Sequence, residues 1–319
     1  MFKVDNPTTL PMQTILGANG VIANNLVKAL STYTDKIRLV SRNPKKVNST
    51  DQVLSADLLN SDQTDKAVAG SKIAYLTAGL PYSTKVWSEQ WPVVMNNVIA
   101  ACKKHNTKLV FFSNVYPYGK VSGLMTEETP FNPCSKKGEV RAKIEETLLR
   151  EIKNGNLQAM IVRGADFYGP NTPLSFTDAL LFKNFAAGKK GQWMLNDTTL
   201  HSFTYTPDAG KATALLGNTE SAYNQTWHAP TDKNALTGKQ FIELVAKEFG
   251  VAPNYMILKK WMVSMAGLFD TNIKEAVEML YQSEVDYLFD SSKFEKTFDF
   301  KPTSYSQGVA ETVKAAKAK

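Results

Sequence analysis

The segment GANGVIA, residues 17–23, decides the fold of this chain. It follows directly on the apolar run MQTIL, residues 12–16, and it opens a stretch whose apolar residues recur at helical spacing as far as Leu30. This order predicts a strand, a tight turn and a helix. In such a unit Gly17 permits the turn, Gly20 permits close approach of the backbone to a ligand, and Ala23 keeps the helix near the sheet.

The same turn predicts a phosphate site. Free backbone N–H groups and the positive end of a helix dipole both lie at the start of a helix, where they bind anions. Asn19, Val21 and Ile22 belong to the turn and to the first helical positions, so the pyrophosphate of a dinucleotide would lie against them. The alternative is an ordinary strand–helix turn, and the features described below favour the cofactor.

The rest of the chain alternates between strands and helices. Further strands are predicted at residues 37–40, 53–58, 73–77, 108–112 and 157–162, and helices at 63–69, 87–105 and 136–152. This alternation predicts an α/β fold with a Rossmann-type doubly wound parallel sheet. We expect residues 1–170 to form the NAD(P)-binding domain. Residues 171–319 are expected to form a smaller, mainly helical substrate-binding region that is partly interleaved with the sheet.

Composition excludes several classes of protein. Of the 319 residues, 43% are hydrophobic and 21% are charged, which is ordinary for a soluble globular chain. Two cysteines, Cys102 and Cys134, are too few for a disulfide framework, and three dispersed histidines argue against a metal site. The first residues lack the apolar core of a signal peptide and no stretch is long enough to span a bilayer. We therefore expect a cytoplasmic protein with no membrane partner.

The basic residues bear on the choice of ligand. The net charge of +7 is spread over many segments, which predicts attraction of an anionic cofactor or substrate rather than nucleic-acid binding. After the second strand, where NAD-specific proteins carry an acidic residue, this chain has Ser41 and Arg42 with Lys45 and Lys46 close behind. A guanidinium suits the 2′-phosphate of NADP. We therefore predict NADP, with NAD possible and a solvated basic loop as the alternative interpretation.

Four segments together resemble the extended short-chain dehydrogenase/reductase superfamily, within its NAD-dependent epimerase/dehydratase group. They are residues 17–23, FSNVYPYG at 112–119, RGADFYGP at 163–170 and HSFTYTPDA at 201–209. The resemblance implies a small-molecule substrate such as a sugar derivative, and a homodimer is common in that superfamily. It also implies a serine or threonine after the fifth strand and a Tyr-x-x-x-Lys pair on the following helix, where tyrosinate exchanges the proton.

The chain departs from that pattern at the catalytic pair. Residues 133–146 contain no tyrosine, and counting back from Glu145 places Lys137 and Arg141 at the two positions. This arrangement is similar to atypical reductases related to isoflavone reductases, in which a lysine is thought to be the general acid/base. We expect Lys137 to exchange the proton and Arg141, four residues on and on the same helix face, to hold the ribose. The alternative is a basic surface helix whose catalytic residues have been lost.

The remaining candidates follow from position. Ser113 is predicted to polarise a substrate oxygen, with Asn114 as the alternative, and Tyr116 and His201 to contact the substrate. The predicted cofactor residues are Gly17, Asn19, Gly20, Val21, Ile22, Arg42, Asp57, Leu58, Thr77, Ala78, Gly79, Lys137 and Tyr168. We therefore expect an oxidoreductase or epimerase/dehydratase acting on a sugar derivative or a small carbonyl compound. Because the tyrosine is missing, the rival hypothesis is a non-enzymatic NADP-binding regulatory or redox-sensing protein.

Overall fold

The computed structural model of the protein describes residues 11–318. Residues 1–10, in which we expect no signal peptide, and Lys319 lie outside the described residues. No helix among the described residues is both long enough and apolar enough to cross a membrane.

The strands, in chain order, are β1 (Gln13–Leu16), β2 (Ile37–Ser41), β3 (Gln52–Ser55), β4 (Ile73–Leu76), β5 (Lys108–Asn114), β6 (Leu124–Met125), β7 (Ala159–Gly164), β8 (Asp166–Tyr168), β9 (Gly191–Met194), β10 (Leu200–His201), β11 (Phe203–Tyr205), β12 (Thr226–His228), β13 (Leu236–Thr237), β14 (Tyr255–Leu258) and β15 (Leu288–Phe289).

The helices are α1 (Val21–Leu30), α2 (Ser61–Val68), α3 (Thr84–Lys104), α4 (Lys136–Lys153), α5 (Lys183–Ala186), α6 (Thr206–Gly217), α7 (Gly238–Phe249), α8 (Lys260–Ala266), α9 (Thr271–Ala276), α10 (Ser292–Phe298) and α11 (Tyr305–Lys317). A π-helical turn, Asp178–Phe182, precedes α5, and 3-10 turns occupy Tyr116–Tyr118, Glu220–Ala222 and Val277–Ser283.

Seven strands form one parallel sheet in the order β12-β7-β5-β4-β1-β2-β3. The order reverses at β1, which lies between β2 and β4, and a ligand crevice opens at such a reversal in doubly wound sheets. Helices α1 and α6 pack against one face of the sheet, while α2, α3 and α4 cover the other. The predicted α/β Rossmann-type fold is confirmed.

The sheet does not end with the first 170 residues. Strand β12 pairs with β7 and becomes the seventh strand of the main sheet. Helix α6 packs against α1 so closely that a Cβ at Gly210 would lie 2.6 Å from the backbone of Asn25. The part of the chain after residue 170 therefore supplies both a strand and a covering helix to the main sheet.

Two further apolar clusters lie beyond the sheet. One is built around α7, α11 and the β8–β11 pair and includes Tyr168, Phe203, Phe241 and Tyr305. The other joins the segments that follow β5 and β7, at Val115 and Ala165, to Tyr281 and Tyr287 near the C-terminus. This second cluster brings residues 279–289 to the carboxyl edge of the sheet.

Candidate functional site

The glycine-rich turn is pressed against the end of β4. Gly17 has φ +107°, and a Cβ there would lie 2.3 Å from Ala78 Cα, so only glycine fits. The backbone N–H groups of Gly17 and Ala18 both donate to the carbonyl oxygen of Val40, each at 2.9 Å. Three predicted segments, at the ends of β1, β2 and β4, are therefore brought together at the crevice.

The N-terminus of α1 is open to a ligand. Its N-cap, Gly20, has no capping side chain, and the first intrahelical hydrogen bond runs from Asn24 N to Gly20 O. The N–H groups of Val21 and Ile22 precede that bond, so they are available to an anion at the positive end of the helix dipole.

Asn19 fixes the loop that follows β2. In the left-handed conformation (φ 76°), its Nδ2 donates to Asn43 O at 2.7 Å and its Oδ1 accepts from Lys45 N at 3.0 Å. The Asn19 side chain therefore positions the basic loop against the glycine-rich turn through these two hydrogen bonds. The Arg42 side chain in that loop is exposed.

The other predicted cofactor residues follow β3 and β4. Asp57 Oδ1 accepts from Leu59 N at 3.0 Å, and Leu58 is buried in the cluster beneath α2 and α3. Thr77 N donates to Leu16 O at 2.9 Å, which ties the end of β4 to β1, and Gly79 beyond it is exposed. These residues line the crevice through their position and backbone.

Lys137 is the most fully engaged cation of the site. Its side chain is completely buried, and Nζ lies 2.5 Å from Glu275 Oε2, 2.7 Å from Glu278 Oε1, 2.9 Å from Glu275 O and 3.1 Å from Thr84 Oγ1. Thr84 N also donates to Glu275 and Lys136 N to Glu278, at 2.8 and 2.7 Å. This group, the Lys137 clamp, joins the starts of α3 and α4 to α9 and the turn after it.

The clamp keeps Glu275 ionised. Burial raises the pKa of this carboxyl, but hydrogen bonds from Lys137 and Thr84 outweigh burial and bring the pKa down to about 2. Every N–H of the ammonium therefore has a carboxylate, carbonyl or hydroxyl acceptor within the protein.

Arg141 is buried without a hydrogen-bond partner. Only 6% of the residue is exposed, and its Nε and Nη1 atoms find no acceptor among the described residues. The guanidinium lies over Trp91 at 4.1 Å and over Trp87 at 4.9 Å from the ring centroids. Burial lowers its pKa to about 10, which still leaves it charged at neutral pH. A buried cation whose N–H donors are unsatisfied can donate hydrogen bonds to an oxygen acceptor of a ligand.

Ser113 faces a buried network instead of the crevice. Its Oγ donates to Glu145 Oε1 at 2.5 Å, and Glu145 accepts Nε of Arg163 at 3.0 Å. Arg163 Nη1 donates to the hydroxyl of Tyr118, which lies 2.8 Å from His228 Nε2. The Ser113 hydroxyl hydrogen is thus committed to Glu145, and none is left to polarise a substrate oxygen.

The alternative, Asn114, lies half-buried at the edge of the sheet, where its Oδ1 accepts from Tyr116 N at 3.1 Å. The hydroxyls of Tyr116 and Tyr82 are 3.4 Å apart. His201 is buried, and its Nε2 lies 2.8 Å from Asp166 Oδ2. Burial and then the Asp166 carboxylate raise the pKa of Tyr116 to about 12.

The prediction for Tyr168 needs correction. Its side chain is 1% exposed and packs on Tyr205, Phe241 and Tyr305 in the cluster around α7 and α11. A Cβ at Gly308 would lie 2.4 Å from its hydroxyl. The ring therefore has no surface for a cofactor, because tertiary packing turns it into the neighbouring core.

Among residues 11–318 no three His, Cys, Asp or Glu side chains could hold a metal ion.

Sequence reasoning missed the acidic partners of the site. Glu275 and Glu278 are 138 and 141 residues from Lys137, and no local pattern marks them beyond two carboxylates on one helical stretch. Asp166, the partner of His201, was missed as well. It lies two residues after β7, as Tyr116 lies two residues after β5, and Asn114 and Gly164 at the ends of these strands are register partners. This equivalent spacing could have indicated Asp166.

The model of the NAD dependent epimerase/dehydratase family matches residues 14–226, and the chain belongs to that family. The chain is 26% identical to the uncharacterized protein y4nL of Sinorhizobium fredii, over 90% of this chain and 88% of that protein.

Solved structures show the same fold. UDP-glucuronic acid 4-epimerase from Bacillus cereus, in complex with NAD, matches with a TM-score of 0.79 and 20% identity, over 96% of this chain and 99% of that one. UDP-N-acetylglucosamine 4-epimerase from Methanobrevibacter ruminantium matches with a TM-score of 0.77 and 18% identity, over 97% and 98%. The predicted epimerase/dehydratase class is confirmed, whereas the roles of Lys137 and Arg141 stay predictions.

Proposed function

We propose that the protein is a dinucleotide-dependent oxidoreductase or epimerase/dehydratase that acts on a sugar derivative or a small carbonyl compound. The observation that carries this proposal is the cradle at the start of α1, where Gly17 allows contact with Ala78 and the following helix has no capping side chain. Membership in the family and the NAD-bound structural relatives support it.

The residues present fit such a cofactor at both ends. The N–H groups of Val21 and Ile22 would bind the pyrophosphate, and the unsatisfied guanidinium of Arg141 would receive ribose hydroxyls. A bound nicotinamide supplies hydride chemistry at its ring. Asn114, at the end of β5, would orient the substrate oxygen, with Tyr116 beside it.

Lys137 is the candidate for proton exchange, on condition that Glu275 or Glu278 releases its ammonium. Lys137→Ala is expected to abolish turnover on a panel of sugar nucleotides and carbonyl compounds while NADH binding persists. Unchanged turnover would remove Lys137 from the chemistry and leave it a purely structural cation.

The choice of dinucleotide is tested by fluorescence titration with NADPH and NADH. If the exposed Arg42 binds a 2′-phosphate, Arg42→Ala weakens NADPH binding selectively and leaves NADH binding unchanged. Equal affinity of the wild type for both nucleotides would contradict the predicted preference for NADP. No binding of either nucleotide would overturn the proposed function.

A second candidate is a regulatory or redox-sensing protein that binds NADP without turnover. The complete engagement of Lys137 in ion pairs favours it, because the position of the family's tyrosine then carries no free acid or base. Nucleotide binding without hydride transfer to any member of the panel, together with nucleotide-dependent association with a partner, would support this candidate over the enzyme.

A further inference from the structure

Helix α8 exposes large apolar side chains on one face. Trp261 is 60% exposed, Met265 55%, Leu268 78% and Phe269 91%. The N–H groups of Leu268 and Phe269 donate to the carbonyl oxygens of Met265 and Ala266, at 3.1 and 3.0 Å, so the chain keeps its helical course beyond α8. At this spacing the four exposed side chains share one face, which we call the α8 patch. Apolar side chains exposed singly are ordinary, whereas a contiguous group of large ones marks an interaction surface.

The opposite face of α8 holds the helix on the fold. Val263 is buried, and Gly267 is buried against α9, where a Cβ on this glycine would lie 3.0 Å from Lys274 Cα. The helix therefore has an anchored side and an exposed side, and the α8 patch is the exposed one.

Basic side chains border the patch. Lys259 and Lys260 lie at the start of α8, Lys274 lies on α9 beside Gly267, and all three lysines are exposed. Residues 251–274 contain these three lysines and one carboxylate, that of Asp270, which caps α9 by accepting from Asn272 N at 2.7 Å.

One further carboxylate reaches this border. Glu284 lies 3.1 Å from the ammonium of Lys260 and is shared with Lys120, at the same distance. Lys259 and Lys274 are not part of this pair, so the border of the patch keeps a positive charge.

The charge of the border decides between the possible occupants of the patch. A second copy of the chain, packed about a two-fold axis, would place two basic borders against each other, and like charges oppose such an interface. An anionic lipid surface carries the opposite charge and accepts apolar side chains at the boundary between headgroups and acyl chains. Tryptophan and phenylalanine are typical of that boundary, and the net charge of +7 adds a general attraction.

We propose that the α8 patch docks the protein on the surface of an anionic membrane. Trp261, Leu268 and Phe269 enter the headgroup layer, and the bordering lysines pair with lipid phosphates. This inference goes beyond the proposed function and does not depend on it. The expectation of no membrane partner rests on the lack of an apolar span, which a helix that lies in the plane of the interface does not need.

The experiment measures co-sedimentation of the full-length protein with vesicles of phosphatidylcholine alone and with vesicles of phosphatidylcholine and phosphatidylglycerol in equal amounts. The apolar variant is Leu268→Ser/Phe269→Ser. Its matched control is Val53→Ser, because Val53 is also an exposed apolar residue but lies on the edge strand β3.

The charge variant is Lys259→Gln/Lys274→Gln. Its matched control is Lys28→Gln/Lys66→Gln, which lowers the net charge equally through exposed lysines of α1 and α2. Since all of these substitutions are at exposed positions, each protein is expected to keep the Tm of the wild type.

The wild type is expected to bind the mixed vesicles at least about tenfold more tightly than the neutral ones, and added salt should weaken this binding. The apolar variant and the charge variant are each expected to lose at least about tenfold in affinity for the mixed vesicles, whereas both controls stay within about threefold of the wild type.

Trp261 supplies a second readout. The other four tryptophans, Trp87, Trp91, Trp193 and Trp227, are buried. A vesicle-dependent shift of the emission to shorter wavelength, with quenching by brominated lipids, is therefore expected from Trp261. In Trp261→Phe the protein should still sediment with the mixed vesicles, but the shift should disappear.

Four results would overturn the inference. The first is no binding to the mixed vesicles, and the second is equal binding to mixed and neutral vesicles. The third is wild-type affinity in the apolar variant, which would assign binding to the general positive charge alone. The fourth is self-association of the wild type that is lost in the apolar variant without any vesicle binding, which would assign the patch to a second copy of the chain.

Discussion

Arg141 illustrates how a single residue connects function to stability. A guanidinium needs five hydrogen-bond acceptors or their equivalent, yet Arg141 finds tryptophan faces and no acceptor for two of its nitrogen atoms. Cation–π contact replaces part of the lost hydration, but unsatisfied donors remain a cost to the ligand-free protein. If Arg141 holds the ribose as proposed, the same donors gain acceptors when the cofactor binds.

Arg141→Met is therefore expected to preserve or raise the stability of the ligand-free protein and to weaken NADH binding. Methionine retains apolar packing on Trp87 and Trp91 but removes the buried donors, so we expect an unchanged or higher Tm in the ligand-free protein. NADH affinity is expected to fall by a factor corresponding to about 1–3 kcal/mol. Thermal unfolding and NADH fluorescence measure the two effects, and Arg141→Lys, which keeps a charge, is the control. A lower Tm combined with wild-type NADH affinity would contradict the assignment.

At the scale of elements, the Lys137 clamp attaches a poorly packed helix to two well-packed ones. Helices α3 and α4 belong to the large cluster under the sheet, whereas α9 contributes no buried residue. Its position therefore depends on Glu275 and Glu278.

Lys137→Met should release residues 271–278 without unfolding the sheet, because residues 279–283 remain anchored by burial. The substitution leaves the two carboxylates facing each other without a cation, which destabilises the attachment of this segment to α3 and α4. We expect backbone hydrogen exchange in residues 271–278 to accelerate at least about tenfold while exchange in α1 is unchanged. Lys143→Met, on an exposed part of the same helix, is the control. Identical exchange in both variants would contradict the clamp.

The clamp also predicts an acid-sensitive contribution to stability. Because the pKa of Glu275 is about 2 in the folded protein and its ordinary value is 4.5, the carboxylate stabilises the fold above about pH 4.5. That contribution is lost as the pH falls from about 4.5 toward 2. In Glu275→Gln the decline of Tm across this interval should be shallower than in the wild type. Parallel curves would show that the ion pair contributes no stability.

At the scale of the whole molecule, the first 170 residues and the rest of the chain share structure. Strand β12 extends the sheet beside β7, and α6 packs on α1 with Ala209 and Leu216 in the core beneath. Another apolar cluster joins residues near 280 to the segments that follow β5 and β7. The core on the α1 face of the sheet is therefore completed only by residues beyond 200.

A fragment of residues 1–170 is therefore expected not to fold independently. Without α6 and β12 it exposes one face of the sheet and the edge of β7, which leaves apolar surface unburied and strand groups unpaired. Circular dichroism should show no cooperative thermal transition, and NADH should not bind. A cooperative transition with retained NADH affinity would contradict this shared core.

The sequence correctly predicted elements whose residue patterns lie within a single segment of the chain. Helix α1 spans residues 21–30 as predicted, because an N-terminal glycine turn and helical apolar spacing both lie within the segment. Strand β12, by contrast, pairs with β7, which lies more than 60 positions earlier and cannot be inferred from periodicity. Side-chain burial was equally inaccessible: Ser113 is bonded to the buried Glu145, and Tyr168 is packed into the neighbouring core.

By itself the sequence determined an α/β chain with a glycine-rich turn and its family resemblance, and it predicted Lys137 and Arg141 at the positions of the usual pair. These properties depend on spacing along a strand or a helix, which the chain specifies locally. The tertiary structure alone decided what those cations meet: Lys137 meets two glutamates from near residue 275, and Arg141 meets two tryptophans, with no acceptor among residues 11–318 for its Nε and Nη1 atoms. The reason is physical, since burial and charge pairing are set by segments distant in sequence that fold together.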